Sequence, residues 1–246
     1  YQTYVQTGMG QSMSLATPEN SEATFTENSI LTDTFNHFHY YPFWKDSVLK
    51  LKELHDYGER IEDVDFIVGS GHHTNSHLWE EGGYVHQMPF TYYTQDGHLD
   101  FPPGFEDGYN SRFSRKIGLE CMSCHNATPD IVLGSENKYH NVPEGIDCER
   151  CHGPGELHVK RMLNGELVDT STNIDYSIVN PSKLSLEAQF QICMRCHLQG
   201  NTVLSEGKSF LDFKPGMELS EVMTVFVPRY EDCLLYTSPS PRDEST

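Results

Sequence analysis

The chain has 246 residues, of which 36 are Asp or Glu and 17 are Lys or Arg, for a formal charge of −19. A surface this acidic repels nucleic acid and anionic lipid; it favours basic protein partners, or simply keeps the chain in solution. No apolar run approaches the ~18 residues that a membrane-spanning helix needs, which excludes a transmembrane helix within this sequence.

Residues 1–36 are polar, rich in Ser, Thr, Asn and Gln, and read as an irregular segment with room for one short helix. Residues 37–54 change character. HFHYYPFW and SVLKLKEL alternate apolar with polar residues and predict strands. The short apolar run IEDVDFIVG, residues 61–69, suits a strand or a helix. GYVHQMPFTYYTQDGHLDF, residues 83–101, alternates and carries Asp96-Gly97 as a turn, so it predicts a hairpin. PPGFEDG then breaks the chain, which makes 37–104 one strand-rich region. Residues 105–232 read as a separate domain of loops and short helices punctuated by Gly and Pro. Within it, Gly153-Pro154-Gly155 stops the chain and GELHVKRML predicts a short helix. Ser185 caps a helix that runs to His197. The expected fold class is α+β with low regular structure. Beyond 232, the text CLLYTSPSPRDEST (233–246) loses all period and resembles a translated sequencing adapter, so it is set apart from the fold. Tyr1 is neither a Met nor part of a signal peptide, and the chain reads as an internal fragment.

One pattern decides the chemistry. Cys-x-x-Cys-His occurs at Cys121–His125, Cys148–His152 and Cys193–His197, using six of the seven cysteines. Two thiols at this spacing reach the two vinyl groups of one porphyrin, and the following His supplies the proximal iron ligand. With 13 His in 246 residues, finding one after all three pairs by accident has odds of roughly one in 10⁴. Zinc ribbons also use Cys-x-x-Cys pairs, but zinc leaves the third pair without a partner and gives the three His no role. A redox dithiol gives no reason for the His, and structural disulfides are the remaining alternative. The reading is three haem c groups, bonded at Cys121, Cys124, Cys148, Cys151, Cys193 and Cys196. A porphyrin is a large apolar plate, so three of them replace much of the core that this domain otherwise lacks. The expectation is that residues 109–200 lose order without haem while the strands of 37–101 persist.

The remaining His are candidates for the distal positions. His158 lies six residues beyond His152 on the helix after the Gly-Pro-Gly turn, which is expected to carry it away from its neighbour's porphyrin and toward another haem. GSGHHTNSH gathers His72, His73 and His77 between glycines, and His140 precedes the second motif. His37, His39, His55, His86 and His98 are weaker candidates, as is Met162; Met122 and Met194 lie inside motifs and point the wrong way.

With GLECMSCHN, GIDCERCHGPGELHV, ICMRCHLQG and DFIVGSGHHTNSHL in hand, the sequence resembles the multihaem cytochrome c proteins of bacteria over about residues 60–232. The nearest types are the tetrahaem carrier that accepts electrons from hydroxylamine oxidation and the multihaem proteins with tetratricopeptide repeats. The resemblance implies His125, His152 and His197 as proximal ligands and His158 as a bis-His partner. It also implies a periplasmic or otherwise exported protein and redox protein partners, with further haem motifs or tetratricopeptide repeats outside this stretch. Three functions compete: electron transfer, a multihaem oxidoreductase acting on a small nitrogen or sulfur species at an open iron, and a haem-stabilised binding or scaffold module. Electron transfer is preferred, since no substrate site is legible.

Overall fold

The computed structural model describes residues 2–198 and 200–227. Cys233 and the whole 233–246 segment lie outside the described residues. The fold is α+β with short elements and two compact units, residues 1–147 and 148 onward.

The first unit contains twelve strands among its described residues: β1 (Met13–Leu15), β2 (Leu31–Asp33), β3 (Phe38–Lys45), β4 (Val48–His55), β5 (Gly58–Asp63), β6 (Phe66–Val68), β7 (Thr74–Glu81), β8 (Tyr84–Tyr93), β9 (His98–Asp100), β10 (Arg115–Lys116), β11 (Asp130–Ile131) and β12 (Tyr139–Asn141). Strands β2-β3-β4-β5 form one antiparallel sheet. Strands β1-β6-β7-β8-β10 form another, with β9 also on β8, and β11-β12 form a two-stranded ribbon. Local chemistry sets the hairpins. Asp46 (φ 51°) and Ser47 (φ 64°) both take the left-handed conformation between β3 and β4, the geometry whose twist suits a two-residue turn. Gly82 and Gly83 do the same between β7 and β8, with φ of 59° and 89°.

Alternation then sorts the side chains. Leu49 and Leu51 of β4, with Tyr40 of β3, meet Ile67 of β6, Trp79 of β7, and Met88 and Phe90 of β8 in one core between the two sheets. Glu53 follows the same inward alternation and is buried. Arg112 answers it with a bidentate pair, Nε donating to Oε2 at 2.8 Å. The larger sheet is buried on its other face as well. There Met13, Phe66, Leu78 and Val85 pack with Ile117, Met122 and Tyr139. The strand-or-helix ambiguity at 61–69 therefore resolves as the end of β5 followed by β6.

This second core moves the expected domain boundaries. Residues 1–36 are not a separate irregular segment, because Met13 pairs with Val68 and Leu31 with Tyr40 in the sheets. Residues 105–147 belong with the strands rather than with the later helices. Helix α1 (Leu119–His125) buries Met122 on the sheet, and the Tyr139 hydroxyl donates to the Ile117 carbonyl at 3.0 Å. The division thus falls after Asp147 instead of after residue 104.

The second unit has little regular structure. It holds α2 (Glu149–His152), α3 (Glu156–Leu163), α4 (Leu186–His197) and a hairpin of β13 (Asn201–Leu204) with β14 (Met223–Phe226). The Ser185 hydroxyl caps α4 by accepting from the Ala188 amide at 3.2 Å, as its place before the apolar run predicts. Among the described residues its buried apolar core is small: Ile192, Phe213, Leu219, Val222 and Met223.

Candidate haem sites

Among the described residues, three of the four α-helices, α1, α2 and α4, end on the His of a motif. In a helix, residues i, i+3 and i+4 share one face. Each helix therefore turns two thiols and one imidazole to the same side, the grouping that one porphyrin needs. The three sites also share an exposure pattern. Cys121, Cys148 and Cys193 are exposed, Cys124, Cys151 and Cys196 are half-buried, and His125, His152 and His197 are exposed. The first site is tied to its sheet by Met122 and by the Ser12 hydroxyl, which donates to the His125 carbonyl at 2.7 Å. Met122 and Met194 are taken up by the cores.

The second site has the most structure around it. Gly153 adopts φ +76° and ends α2, a conformation that glycine takes without strain. The Gly155 amide donates to Glu149 Oε1 at 2.6 Å and starts α3. Between these helices lies a cavity of about 710 Å³ lined by Cys148, His152, His158, Val159, Leu163 and Ile178, among others. That volume lies within the ~300–1,000 Å³ typical of ligand and cofactor pockets. The expectation that α3 carries His158 away from Cys148 and His152 is corrected here. The turn is tight enough that His158 lines the same cavity.

Both imidazoles of this cavity are oriented by hydrogen bonds. His152 Nδ1 lies 2.9 Å from the Val179 carbonyl, which can only accept, so Nδ1 carries the proton and Nε2 keeps a lone pair. His158 Nδ1 lies 3.0 Å from Asp175 Oδ2 and 3.2 Å from the Ser177 hydroxyl. Hydrogen bonds from the Ser177 hydroxyl and amide hold the Asp175 carboxyl below the usual carboxylate range. An ionised carboxylate likewise fixes the proton on Nδ1 and leaves the lone pair of His158 on Nε2. Asp175, Ser177 and Val179 are the partners of these imidazoles that sequence reasoning missed. Asp175-Tyr176-Ser177 does carry the signature of a local Asx turn, but nothing local points from that turn to His158.

The residues present fit haem c. Helix α3 buries none of its side chains, and Leu157, Val159 and Leu163 stand 56%, 54% and 82% exposed. Apolar residues left uncovered beside thiols are what a covalently held apolar plate would cover. Among the described residues, no group of three or more His, Cys, Asp or Glu is gathered as a tetrahedral zinc site requires.

The other distal candidates fare unequally. His72 and His73 sit on the exposed β6–β7 loop, with His73 Nδ1 2.8 Å from the Gln95 amide. His140 is exposed on β12. His77 does not share their loop: it lies inside β7, fully buried at the β7–β8 register shift. Its ring stacks on Phe90 at 4.0 Å, with Phe25 edge-on at 6.5 Å, and neither ring nitrogen has a hydrogen-bond partner. Burial lowers its pKa to about 3. A side chain enclosed between two sheets leaves no room for a porphyrin, so His77 is a core residue. His39 bonds Thr32, His55 stacks on Tyr57, and His98 stacks on Tyr93. His86 lies against Trp79 and the Asn137 amide, and burial lowers its pKa. His37 is exposed in a turn, and Met162 lies within α3.

Residues 106–153, which span the first two motifs, match the family model described as cytochrome c554 and c-prime. The fold is similar to that in the crystal structure of the outer cell wall cytochrome OcwA, with a TM-score of 0.55 and 16% identity. That likeness covers 92% of this chain and 42% of the other, so this chain spans less than half of that cytochrome's length. No curated protein matches the sequence. Among the described residues no helix is long and apolar enough to cross a membrane.

Proposed function

We propose that this chain is part of an exported multihaem electron carrier holding three haem c groups. They are bonded at Cys121 and Cys124, Cys148 and Cys151, and Cys193 and Cys196, with His125, His152 and His197 as proximal ligands. The observation that carries the reading is the threefold repetition of one local geometry. Each motif ends a helix, with its first thiol and its imidazole exposed on a shared face. Bound haem supplies a one-electron iron couple; the chain's own residues attach it, ligate it and set its potential.

His158 supplies the sixth ligand to a haem seated in the cavity beside Cys148 and His152, its lone pair on Nε2. His72, His73 and His140 are exposed enough to serve other irons. The acidic surface suits basic redox partners met through electrostatic steering. Attachment of haem c outside the cytoplasm favours an exported location. The test is the reduced and oxidised spectrum of His158→Ala made with haem c maturation. All three haems should remain attached, and one should change from low-spin to high-spin and bind an added ligand such as carbon monoxide. A spectrum identical to the parent protein's would return His158 to a surface role.

A further inference from the structure

The segment Asp175–Val179 supplies a hydrogen-bond partner to each imidazole of the second unit's cavity. Val179 offers His152 a neutral carbonyl, and its own amide donates back to the His152 carbonyl at 3.0 Å. Asp175 offers His158 a carboxylate oxygen. The carboxylate is itself built in. Oδ1 accepts from the Ser177 amide at 2.9 Å and from the Ser177 hydroxyl at 2.5 Å, which leaves Oδ2 to face His158. The Asp175 side chain is only 9% exposed and Ser177 is buried, so water competes little for these bonds.

We infer that Asp175 is a positioning residue for His158, which fixes the imidazole's orientation and tautomer and lowers the reduction potential of the iron that His158 ligates. The inference rests on His158 being a ligand, as proposed above. The physical reason is direct. A carboxylate on Nδ1–H draws that proton toward itself and gives the imidazole anionic character, so Nε2 becomes a stronger donor. A stronger, more negative ligand stabilises the oxidised iron, whose charge is one unit higher. The carbonyl on His152 does this more weakly because it bears no net charge. The two faces of the site are thus unequal, and the one tuned by charge is the distal face.

The experiment uses the haem-loaded full chain and compares the parent with Asp175→Asn, Asp175→Glu and His158→Ala. Asparagine keeps the one oxygen that the turn uses and replaces the charged oxygen facing His158 with an amide NH2, which cannot accept from Nδ1–H. Potentiometric titration of Asp175→Asn should show three attached, low-spin haems with one midpoint raised. A tenfold change in the reduction equilibrium reads as 59 mV for a one-electron couple. The low-temperature electron paramagnetic resonance signal of that same haem should shift, and Asp175→Glu should restore part of both effects. A merely structural role for Asp175 would lower thermal stability and leave potential and resonance in place, which overturns the inference. The His158→Ala arm separates the two layers. If it yields a high-spin haem while Asp175→Asn matches the parent, the ligand reading stands and the tuning fails. If it leaves the spectrum unchanged, both fail.

Discussion

The buried His77 makes the stability of the first unit depend on pH in a way that one substitution removes. Its folded pKa is about 3 because burial disfavours the charged ring, whereas an unfolded His titrates near 6.5. Below pH 6.5 the unfolded chain binds a proton that the folded chain does not. Stability therefore falls as pH drops, at about 1.4 kcal/mol per pH unit, until the folded pKa is reached. Between pH 7 and pH 5 the loss is about 2 kcal/mol. Asp65 acts in the opposite sense. Burial raises its pKa to about 6, so the cost of its buried charge, fully present above that value, is relieved as pH falls toward the ordinary carboxylate range. The net slope of the parent protein is thus a difference of two effects, and His77→Leu isolates one of them. Trp44 and Trp79 are the chain's two tryptophans, and both lie in the first unit, so their fluorescence during urea unfolding reports that unit. From pH 7 to pH 5 the parent's urea midpoint should lose about 1 M more than the variant's does. The variant should also be the more stable protein at pH 7, because it removes two unpaired buried nitrogens. Equal pH slopes in the two proteins would show that His77 is protonated or partnered in the folded state, and the placement of its ring would be wrong.

Three further outcomes follow from the packing. Haem-free chain should resist protease through residue 147 and be cut within 148–198, because the first unit has two side-chain cores and the second has, among its described residues, one small core of five buried apolar residues; equal protection of both units would contradict this. Met122→Ala should cost the first unit about 2–5 kcal/mol of unfolding free energy, as a buried large-to-small change does. It should leave haem attachment at Cys121 and Cys124 intact; a neutral result by urea titration would detach α1 from the sheet. Arg112→Ala should lower the melting temperature of the first unit, since it strands the buried Glu53 carboxylate, a loss of up to about 3–5 kcal/mol.

What the sequence made legible is what local chemistry dictates. The motif helices, the Ser185 cap, the Asp96-Gly97 hairpin and the alternating strands all depend on residues a few positions apart. The boundary after Asp147 was not legible, because it rests on Met122 and Tyr139 finding Phe66 and Val85 across long stretches of chain. His77 was misread for the same reason. Thr74–His77 looks like a polar loop. In the strand, the Asn75 amide donates to the Gly69 carbonyl at 3.0 Å and Ser76 pairs with Thr91 at 3.0 Å. Those partners hold the segment in the strand, and the next side chain faces inward. His158 was singled out on sound grounds, yet its neighbours Asp175 and Ser177 lie 17 and 19 residues away along the chain. The expected loss of order over 109–200 narrows to the second unit, since 109–147 carries its own packing.

The central claim is that three haems are covalently bound, one at each motif. Mass spectrometry under denaturing conditions, on the chain produced with haem c maturation, tests it most directly. The account predicts a mass equal to the polypeptide plus three haems, with modified peptides containing Cys121 and Cys124, Cys148 and Cys151, and Cys193 and Cys196. A mass equal to the bare polypeptide, or thiols found as disulfides or zinc ligands, would contradict it.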